Sequence, residues 1–289
     1  MTEHVRADAD AIAIRGEDGI RASEVVVGAA TDVGRLRTIN EDGYLAIAPA
    51  FVVVDGMGGH AAGRMATQVA LDSLYSLAGT IVTDVDTVVR AVVAAQEAII
   101  AIPSHAAYLP GATIAGVILA WMVDEQGVMR PTWVIFNVGD ARVYLLRDDM
   151  LSQVTRDHSR VQILIETGEL TPEQARRDPR RNIVTRALGG GIADSGVPDL
   201  YTVPVAAGDR FLICSDGLSD ELDDEAIATV LAAGCTAQRT AELLVAASLE
   251  GGGHDNTTAI VVDSLQVPAL PSTAHTPSLG GASSQGAAR

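Results

Sequence analysis

The sequence predicts an α+β protein. Short runs rich in β-branched and aromatic residues alternate with longer segments in which apolar residues recur at helical spacing. A tight turn at Gly139–Arg142 separates two of the short runs, so we expect these two strands to be antiparallel neighbours in one sheet. Because the two kinds of element are interspersed along the chain, we expect sheets covered by helices.

The strands are predicted from short segments with a high content of Val, Ile, Phe and Trp. They are 25–27, 51–54, 114–123, 132–138, 143–146, 210–214 and 257–262. The helices are predicted from apolar residues three and four positions apart, from Pro103 as a terminator, and from Thr171 with Pro172 as a helix start. They are 66–77, 84–102, 159–167, 171–177 and 236–249.

The two ends of the chain differ from its centre. Residues 264–289 consist largely of Ser, Thr, Pro, Gly and Ala, and such a segment cannot bury enough apolar surface to offset the entropy lost on ordering. We therefore expect a disordered tail at 264–289, a flexible segment at 1–23 and one domain at 24–263. We expect Cys214, Trp121 and Trp133 in the core, and His105, His158 and His254 at the surface or in turns.

The composition excludes several functions. The 289 residues include 37 acids and 20 arginines but no lysine, so the formal charge is −17. This charge argues against nucleic acid or an anionic membrane as a partner, and the absence of lysine excludes Schiff-base and P-loop chemistry. Cysteine phosphatases need Arg six positions after the nucleophile, where Asp220 follows Cys214 and Ala241 follows Cys235. The acidic N-terminus and the short apolar runs predict neither an export signal nor a membrane span, and hence a cytoplasmic protein.

Acidic residues stand at the ends of the predicted buried strands. Asp55, Asp140 and Asp216 follow three of them, and Asp255 precedes a fourth. A single Asp-Gly pair is the usual sequence of a hairpin turn. If the four ends converge, each pair of carboxylates repels by roughly 4 kcal/mol at ~4 Å and an effective dielectric of ~20, so the cluster must be protonated or bridged by cations. Ligands that are all oxygen favour Mg²⁺, Mn²⁺ or Ca²⁺, and two such ions activate water against a phosphoryl group.

An arginine precedes a further pair of acids. Arg37 stands four residues before Glu41 and five before Asp42. A planar guanidinium suits phosphate oxygens and stays charged at any working pH. An ordinary surface ion pair is the alternative interpretation of this segment.

Five segments, taken in order, resemble the motifs of the metal-dependent Ser/Thr protein phosphatases (the PPM, or type 2C, family), in their bacterial form. The resemblance covers residues 25–263. It implies an αββα four-layer sandwich, in which two antiparallel sheets are flanked by helices. The segments are Arg37 with Asn40-Glu41-Asp42, Asp55-Gly56-Met57-Gly58-Gly59-His60, Asn137-Val138-Gly139-Asp140-Ala141-Arg142, Ser215-Asp216-Gly217-Leu218 and Asp255-Asn256.

The resemblance also implies two or three Mn²⁺ or Mg²⁺ ions in the cleft between the sheets, and a metal-bridging hydroxide that attacks phosphorus directly. Asp42 would orient the water shell, Arg37 would hold the substrate phosphate, and Asp220 is a weaker metal candidate that could equally cap a helix. The implied metal ligands are Asp55 as the bridge, the Gly56 carbonyl, Glu41 through water, Asp216 and Asp255, with Asp140 and Asp216 for a third ion.

One position departs from the eukaryotic pattern. Eukaryotic members carry a histidine two residues after the bridging aspartate as the proposed general acid, whereas this chain has Met57 there. His60, three residues further on, is a weak candidate for the same role. A metal-bound water is the preferred proton source.

A basic segment stands out in the acidic chain. Residues 156–186 contain seven Arg and five acids, so this stretch is +2 while the rest is −19. Thr155-x-Asp157-His158-Ser159 and residues 182–189 resemble the family's flap, placed here at 156–190. A basic flap would attract an acidic phosphorylated segment, and a solvated helix end with ion pairs to Glu173 and Asp178 is the alternative. The candidate substrate-binding residues are Arg176, Arg177, Arg180 and Arg181.

The sequence therefore predicts a monomeric phosphatase that acts on phosphoserine and phosphothreonine of proteins and opposes a bacterial Ser/Thr kinase. Phosphorylated proteins, including a kinase, are the expected partners. One alternative is a metal-binding but inactive interaction module, which the complete acid set disfavours. Another is a regulator phosphatase with a single partner protein. A two-metal nuclease is disfavoured by the charge.

Overall fold

The computed structural model describes residues 12–15, 25–59, 61–103, 109–192 and 196–267. Its strands are β1 (Ile12–Arg15), β2 (Val25–Asp32), β3 (Asp42–Ile47), β4 (Ala50–Met57), β5 (Gly111–Val123), β6 (Met129–Val138), β7 (Arg142–Arg147), β8 (Met150–Gln153), β9 (Leu188–Gly189), β10 (Asp199–Pro204), β11 (Arg210–Cys214) and β12 (Thr257–Ser264). Its helices are α1 (Ala61–Leu74), α2 (Val85–Ile100), α3 (Arg160–Glu166), α4 (Pro172–Ala175), α5 (Asp216–Ser219), α6 (Asp224–Leu231) and α7 (Ala237–Gly251).

Two sheets pack face to face between two layers of helices. The larger sheet has the order β1-β3-β4-β5-β6-β10, with β9 beside β5, and the smaller has the order β2-β12-β11-β7-β8. Helices α1 and α2 cover the larger sheet, while α5, α6 and α7 cover the smaller one. The predicted αββα sandwich is confirmed. All strand pairs described are antiparallel except β1 with β3, a pair that the sequence did not predict.

The core between the sheets contains the largest side chains. Trp121 and Trp133 are fully buried there, as predicted, and the Trp133 ring meets Phe211 edge to face at 5.2 Å. The indole nitrogen of Trp133 donates to Asp209 Oδ2 at 3.0 Å, which satisfies the polar group of this buried ring. Cys214 is buried on the other face of the smaller sheet, under the helices, and is also a core residue as predicted.

The helices begin where their caps predict. Asp84 accepts the backbone N–H of Thr87 at the start of α2, and Thr236 accepts that of Arg239 at the start of α7. Thr171 forms a capping box before α4. No helix within the described ranges is both long enough and apolar enough to cross a membrane.

The prediction that Gly139–Arg142 joins two strands of one sheet is wrong. β6 pairs with β5 and β10 in the larger sheet, whereas β7 pairs with β11 and β8 in the smaller one. The chain crosses between the sheets at this turn, because Ile135 before it and Val143 after it both pack into the core that the two sheets share. The crossing leaves Asp140 buried at the junction of the two sheets.

A glycine in β2 sets how closely α7 packs on the smaller sheet. A Cβ on Gly28 would overlap the backbone of Ala237 and Gln238. We expect Gly28→Ala to lower the free energy of unfolding by about 3 kcal/mol or more, because the clash is with backbone and α7 must move. Gly127→Ala is the control, since its φ of 76° adds strain but a Cβ there meets no atom within 4 Å. Urea unfolding measures both, and equal losses would contradict the steric explanation.

Candidate active site

Two carboxylates lie side by side at one end of the larger sheet. Asp42 begins β3 and Asp55 lies near the end of β4, and the two are direct partners in the antiparallel register. Partners in such a register have Cβ atoms about 4.5–5.5 Å apart. Thr113 of β5 faces Asp55 from the other side, and its buried Oγ1 has no hydrogen-bond partner among the residues that the structure describes. The pairing of β3 with β4 therefore fixes the first part of the cluster.

The smaller sheet and the crossing turn supply the remaining acids. Asp216 is the first residue of α5, directly behind β11, and Asp255 lies just before β12, the antiparallel neighbour of β11. Burial, followed by the charges of Asp42, Asp216, Asp140 and Asp255, holds the pKa of Asp55 well above its usual range. Since four carboxylates act on this one group, the acids predicted from the motifs do come together.

The pKa values of the other carboxylates in the cluster are also raised. Burial raises the pKa of Asp42 to about 6, although hydrogen bonds from Thr258 and Ser215 lower it. Burial and the neighbouring charge of Asp157 raise the pKa of Asp140 to about 7. Burial and the charge of Asp140 hold the pKa of Asp216 well above its usual range. The cluster therefore needs protons or cations to be stable.

Asp42 is held by one oxygen and presents the other. Its Oδ2 accepts the Ser215 hydroxyl at 2.8 Å and the Thr258 hydroxyl at 2.7 Å. Its Oδ1 is buried and has no partner in the described part of the chain. A buried carboxylate oxygen without a donor is costly, so this atom is suited to an ordered water or a cation.

The donors in this cluster fit a hard divalent cation. They are oxygens, because the charged groups around Asp55 are the carboxylates of Asp42, Asp216, Asp140 and Asp255. Within the described ranges, no three Asp, Glu, His or Cys side chains are close enough to hold an ion by themselves. Main-chain carbonyls or water must then complete a coordination shell. A Cβ on Gly56, the residue after Asp55, would lie 2.5 to 2.6 Å from Gly63 O, Glu41 O and Thr67 Oγ1, so only glycine allows β4 to pack this closely on α1 and on the loop before β3.

Arg37 lies at the edge of the cluster. Its Nη2 donates to Asp255 Oδ2 at 2.6 Å, and its side chain is 51% exposed. The charges of Asp255, Glu41 and Asp216 all act on the guanidinium, which confirms that it stands beside the acids. A guanidinium has five N–H donors, so one bond to Asp255 leaves others that can face solvent.

The fold and this arrangement agree with a known family. A protein-family model described as Protein phosphatase 2C matches residues 38–251. The chain belongs to the protein phosphatase 2C family. The resemblance found in the sequence motifs is confirmed.

Individual relatives extend this agreement. The serine/threonine protein phosphatase PstP of Mycobacterium tuberculosis is 37% identical over 240 residues, which are 81% of this chain and 44% of that protein. The chain thus spans less than half the length of this relative. The serine/threonine phosphatase stp of Listeria innocua is 33% identical over 243 residues, which are 81% of this chain and 93% of that protein. The crystal structure of the PstP catalytic domain in complex with two manganese ions has a TM-score of 0.73 at 35% identity, and the match covers 83% of this chain and 98% of that one.

The segment predicted to be a flap, residues 156–190, packs against the end of α5. Arg176 donates to the carbonyl oxygens of Ser219 and Asp220, and Arg181 pairs with the Asp220 carboxylate at 3.4 Å. Arg180 is paired with Asp178 at 2.8 Å, as the alternative interpretation of this segment expects. Arg177 has no ion pair among the described residues. A cavity of about 700 Å³ separates the flap from α5 and α6, and its lining includes Asp140, Asp216, Arg176, Arg177 and Arg181.

His60 and Met57 both stand shortly after Asp55 in the chain. His60, the weak candidate for general acid, lies outside the described residues, as does His105. The terminal methyl group of Met57 lies against the backbone of Gly111 and Gly190. A Cβ added at Gly111 would come within 2.7 Å of that methyl group, and one added at Gly190 would overlap it. Met57 therefore has a packing role in this structure.

Three polar residues hold the acids in place, and their role was not predicted from the sequence, although Asn256 and Ser215 stand in the motif segments named above. Asn256 accepts the Glu41 N–H at 2.9 Å and donates to the carbonyls of Val33 and Ile39, so it ties the loop before β3 to the start of β12. Ser215 and Thr258 hold Asp42, as described above. One sequence feature could have pointed to these residues: they are polar, yet they stand beside or inside strands that are otherwise apolar and buried.

The hydroxyl of Ser215 is expected to matter for Asp42. Ser215→Ala removes one of the two donors to Asp42 Oδ2 and the acceptor of the Thr258 N–H. We expect a loss of about 1–2 kcal/mol in unfolding free energy and at least a tenfold fall in kcat, because the carboxylate is less firmly oriented.

Ser248→Ala is the matched control. Ser248 is also fully buried, but within the described ranges its hydroxyl bonds only to Val245 O and Thr257 Oγ1. It should lose similar stability and keep its kcat. Equal falls in kcat for the two variants would contradict a specific role for Ser215.

Proposed function

We propose that this chain is a divalent-metal-dependent phosphatase that removes phosphate from Ser and Thr of proteins and opposes a bacterial Ser/Thr kinase. The observation that carries the proposal is the convergence of buried carboxylates from both sheets, next to an exposed arginine. The likeness to the PstP catalytic domain, which holds two manganese ions, supports it. Manganese or magnesium suits the oxygen donors.

The residues divide into two groups by role. Divalent ions held by these residues would supply a water of lowered pKa, able to attack phosphorus near neutral pH, and would offset charge on the leaving oxygen. Asp140 and Asp216 would hold a third ion, with Asp220 as a weaker candidate because its carboxylate is paired with Arg181. The residues that would hold the first two ions are Asp55, the Gly56 carbonyl, Glu41 through water, Asp216 and Asp255.

Arg37 and Asp42 act on the substrate and on water. Arg37 would bind the substrate phosphate with the N–H donors that its bond to Asp255 does not use. Asp42, fixed through Oδ2, would orient water with its unpartnered Oδ1. The leaving group takes its proton from water, because Met57 stands where a histidine acid would be.

An inactive interaction module and a regulator phosphatase with a single partner remain alternatives. The converging acids and the bacterial relatives named Ser/Thr phosphatases disfavour the first, and the flap-like segment at 156–190 disfavours the second. We expect the enzyme to act as a monomer in the cytoplasm, on phosphorylated proteins that include a kinase.

Asp216 provides the direct test of metal-dependent catalysis. We expect Asp216→Asn to hydrolyse a phosphothreonine peptide at least 100-fold more slowly than the wild type in Mn²⁺, because it removes a charge from the ion site. Removal of divalent ions with EDTA should abolish wild-type turnover. Turnover without metal, or turnover unaffected by the substitution, would refute the mechanism, whereas metal binding without any turnover would favour the interaction module.

Asp223→Asn is the matched control for that experiment. Asp223 lines the same cavity and caps α6 by accepting the Ala226 N–H. Asparagine caps helices as well as aspartate does, so this variant removes the same charge without loss of structure. It should retain wild-type turnover.

The flap arginines are proposed to bind acidic segments of the substrate. We expect Arg177→Gln to lower kcat/KM for a phosphoprotein several-fold and to leave a small aryl phosphate unaffected, because Arg177 lines the cavity and is not neutralised by an ion pair among the described residues. Arg180→Gln is the control, since Arg180 is paired with Asp178 and does not line the cavity. Equal losses on both substrates would count against a role in substrate binding.

A further inference from the structure

A buried histidine stands where the flap begins. His158 is 3% exposed and lies just before Ser159, the N-cap of α3. It was predicted to lie at the surface or in a turn; it does lie in the segment between β8 and α3, but it is buried there. The histidine has a hydrogen-bonding partner at each ring nitrogen, and the two partners belong to different parts of the chain.

One edge of His158 holds the crossing turn. Its Nδ1 accepts the backbone N–H of Gly139 at 3.0 Å, and its own backbone N–H donates to Gly139 O at 2.8 Å. The amide of Asn137 also donates to Gly139 O, at 3.3 Å. Gly139 has a φ of 109°, and a Cβ there would overlap Thr113, so the turn has no freedom to relax toward β5. The next residue in the chain is Asp140.

The other edge of His158 holds the end of the flap. Because Nδ1 accepts a hydrogen bond, the neutral ring carries its proton on Nε2, which lies 3.2 Å from Asp199 Oδ2 and 3.1 Å from Arg186 Nη1. Burial lowers the pKa of His158, which favours this neutral form. The Thr185 N–H donates to the His158 carbonyl at 2.7 Å. One residue thus joins the crossing turn to the returning limb of the flap.

Asp140 needs such a support. Asp140 is 8% exposed, and the charges of Asp157 and Asp220 repel its carboxylate, while Arg142, which is paired with Asp157, offsets only part of that repulsion and of the cost of burial. Repulsion in a buried site drives a carboxylate toward water unless its backbone is held. The Gly139 N–H donates to His158 Nδ1, and the Gly139 carbonyl accepts the His158 N–H. His158 therefore holds the backbone directly before Asp140.

We propose that His158 is a positioning residue: its ring holds the Gly139 N–H and its own N–H holds the Gly139 carbonyl, which fixes the crossing turn so that the Asp140 carboxylate can bind a divalent ion. It does not touch substrate or ion. The proposal rests on the proposed function, where Asp140 is assigned to an ion. Supporting groups of this kind typically change metal affinity by about 10- to 100-fold when removed.

Two conservative variants separate this role from simple packing. In His158→Asn the amide oxygen can take the place of Nδ1 and accept the Gly139 N–H, but the donor to Asp199 is lost. In His158→Gln the amide reaches the position of Nε2 and can donate to Asp199, but the acceptor for Gly139 is lost. The two variants thus each retain one edge of the histidine.

The experiment is calorimetric titration of the metal-free protein with Mn²⁺, with Asp140→Asn as the reference. We expect His158→Asn to bind manganese as the wild type does. We expect His158→Gln to match Asp140→Asn, with at least tenfold weaker binding of one ion, and to have a lower kcat at unchanged KM for a phosphothreonine peptide. Thermal unfolding of the metal-free variants shows whether both fold.

Each other outcome overturns a defined claim. Manganese binding unchanged in Asp140→Asn would refute the assignment of Asp140 to an ion, and the role of His158 with it. A weakened Asp140→Asn beside two histidine variants that bind normally would refute only the role of His158. Equal weakening in both histidine variants would show general packing instead. If His158→Gln does not fold, His158→Asn decides, since loss of the ion from that variant contradicts the proposal.

Discussion

Carboxylates from two different sheets lie close together and repel one another. The other groups of the site are arranged around this repulsion. Asp42 and Asp55 are placed by strand pairing in one sheet, and Asp216 and Asp255 by neighbouring strands of the other. Burial and these mutual charges raise the pKa of Asp55 together, so the folded chain holds an electrostatic conflict in its interior. The hydroxyls on Asp42 and the arginine on Asp255 reduce that conflict without removing it.

The positions of the acids could be predicted because they are local features of the sequence. An aspartate directly after a run such as Phe51–Val54 must lie at the end of a buried strand, whichever sheet contains it. The crossing at Gly139 could not be predicted in this way, because a short Gly-Asp turn has the same local sequence whether the next strand returns to its own sheet or joins another. The difference lies in the partners of the two strands, since β6 pairs with β5 and β10 whereas β7 pairs with β8 and β11.

Other elements escaped prediction for similar reasons. β3 contains Gly43 and Ala46, which have little preference for strands, and it is held in place by its partners on both sides. Ser215 and Thr258 contact each other across 43 positions of sequence, so no local pattern could reveal the support they give to Asp42. The burial of His158 likewise depends on groups that precede and follow it by many residues.

Because the acidic cluster takes its members from both halves of the sandwich, it exists only while the two sheets are in register. The unfolded chain has no equivalent of it. Any cation captured there would bind the native state alone, and by mass action it would shift the folding equilibrium in proportion to the logarithm of its free concentration. The ions that take part in catalysis would then also hold the two sheets together. The free energy of unfolding would rise and fall with the concentration of divalent ions in the solution.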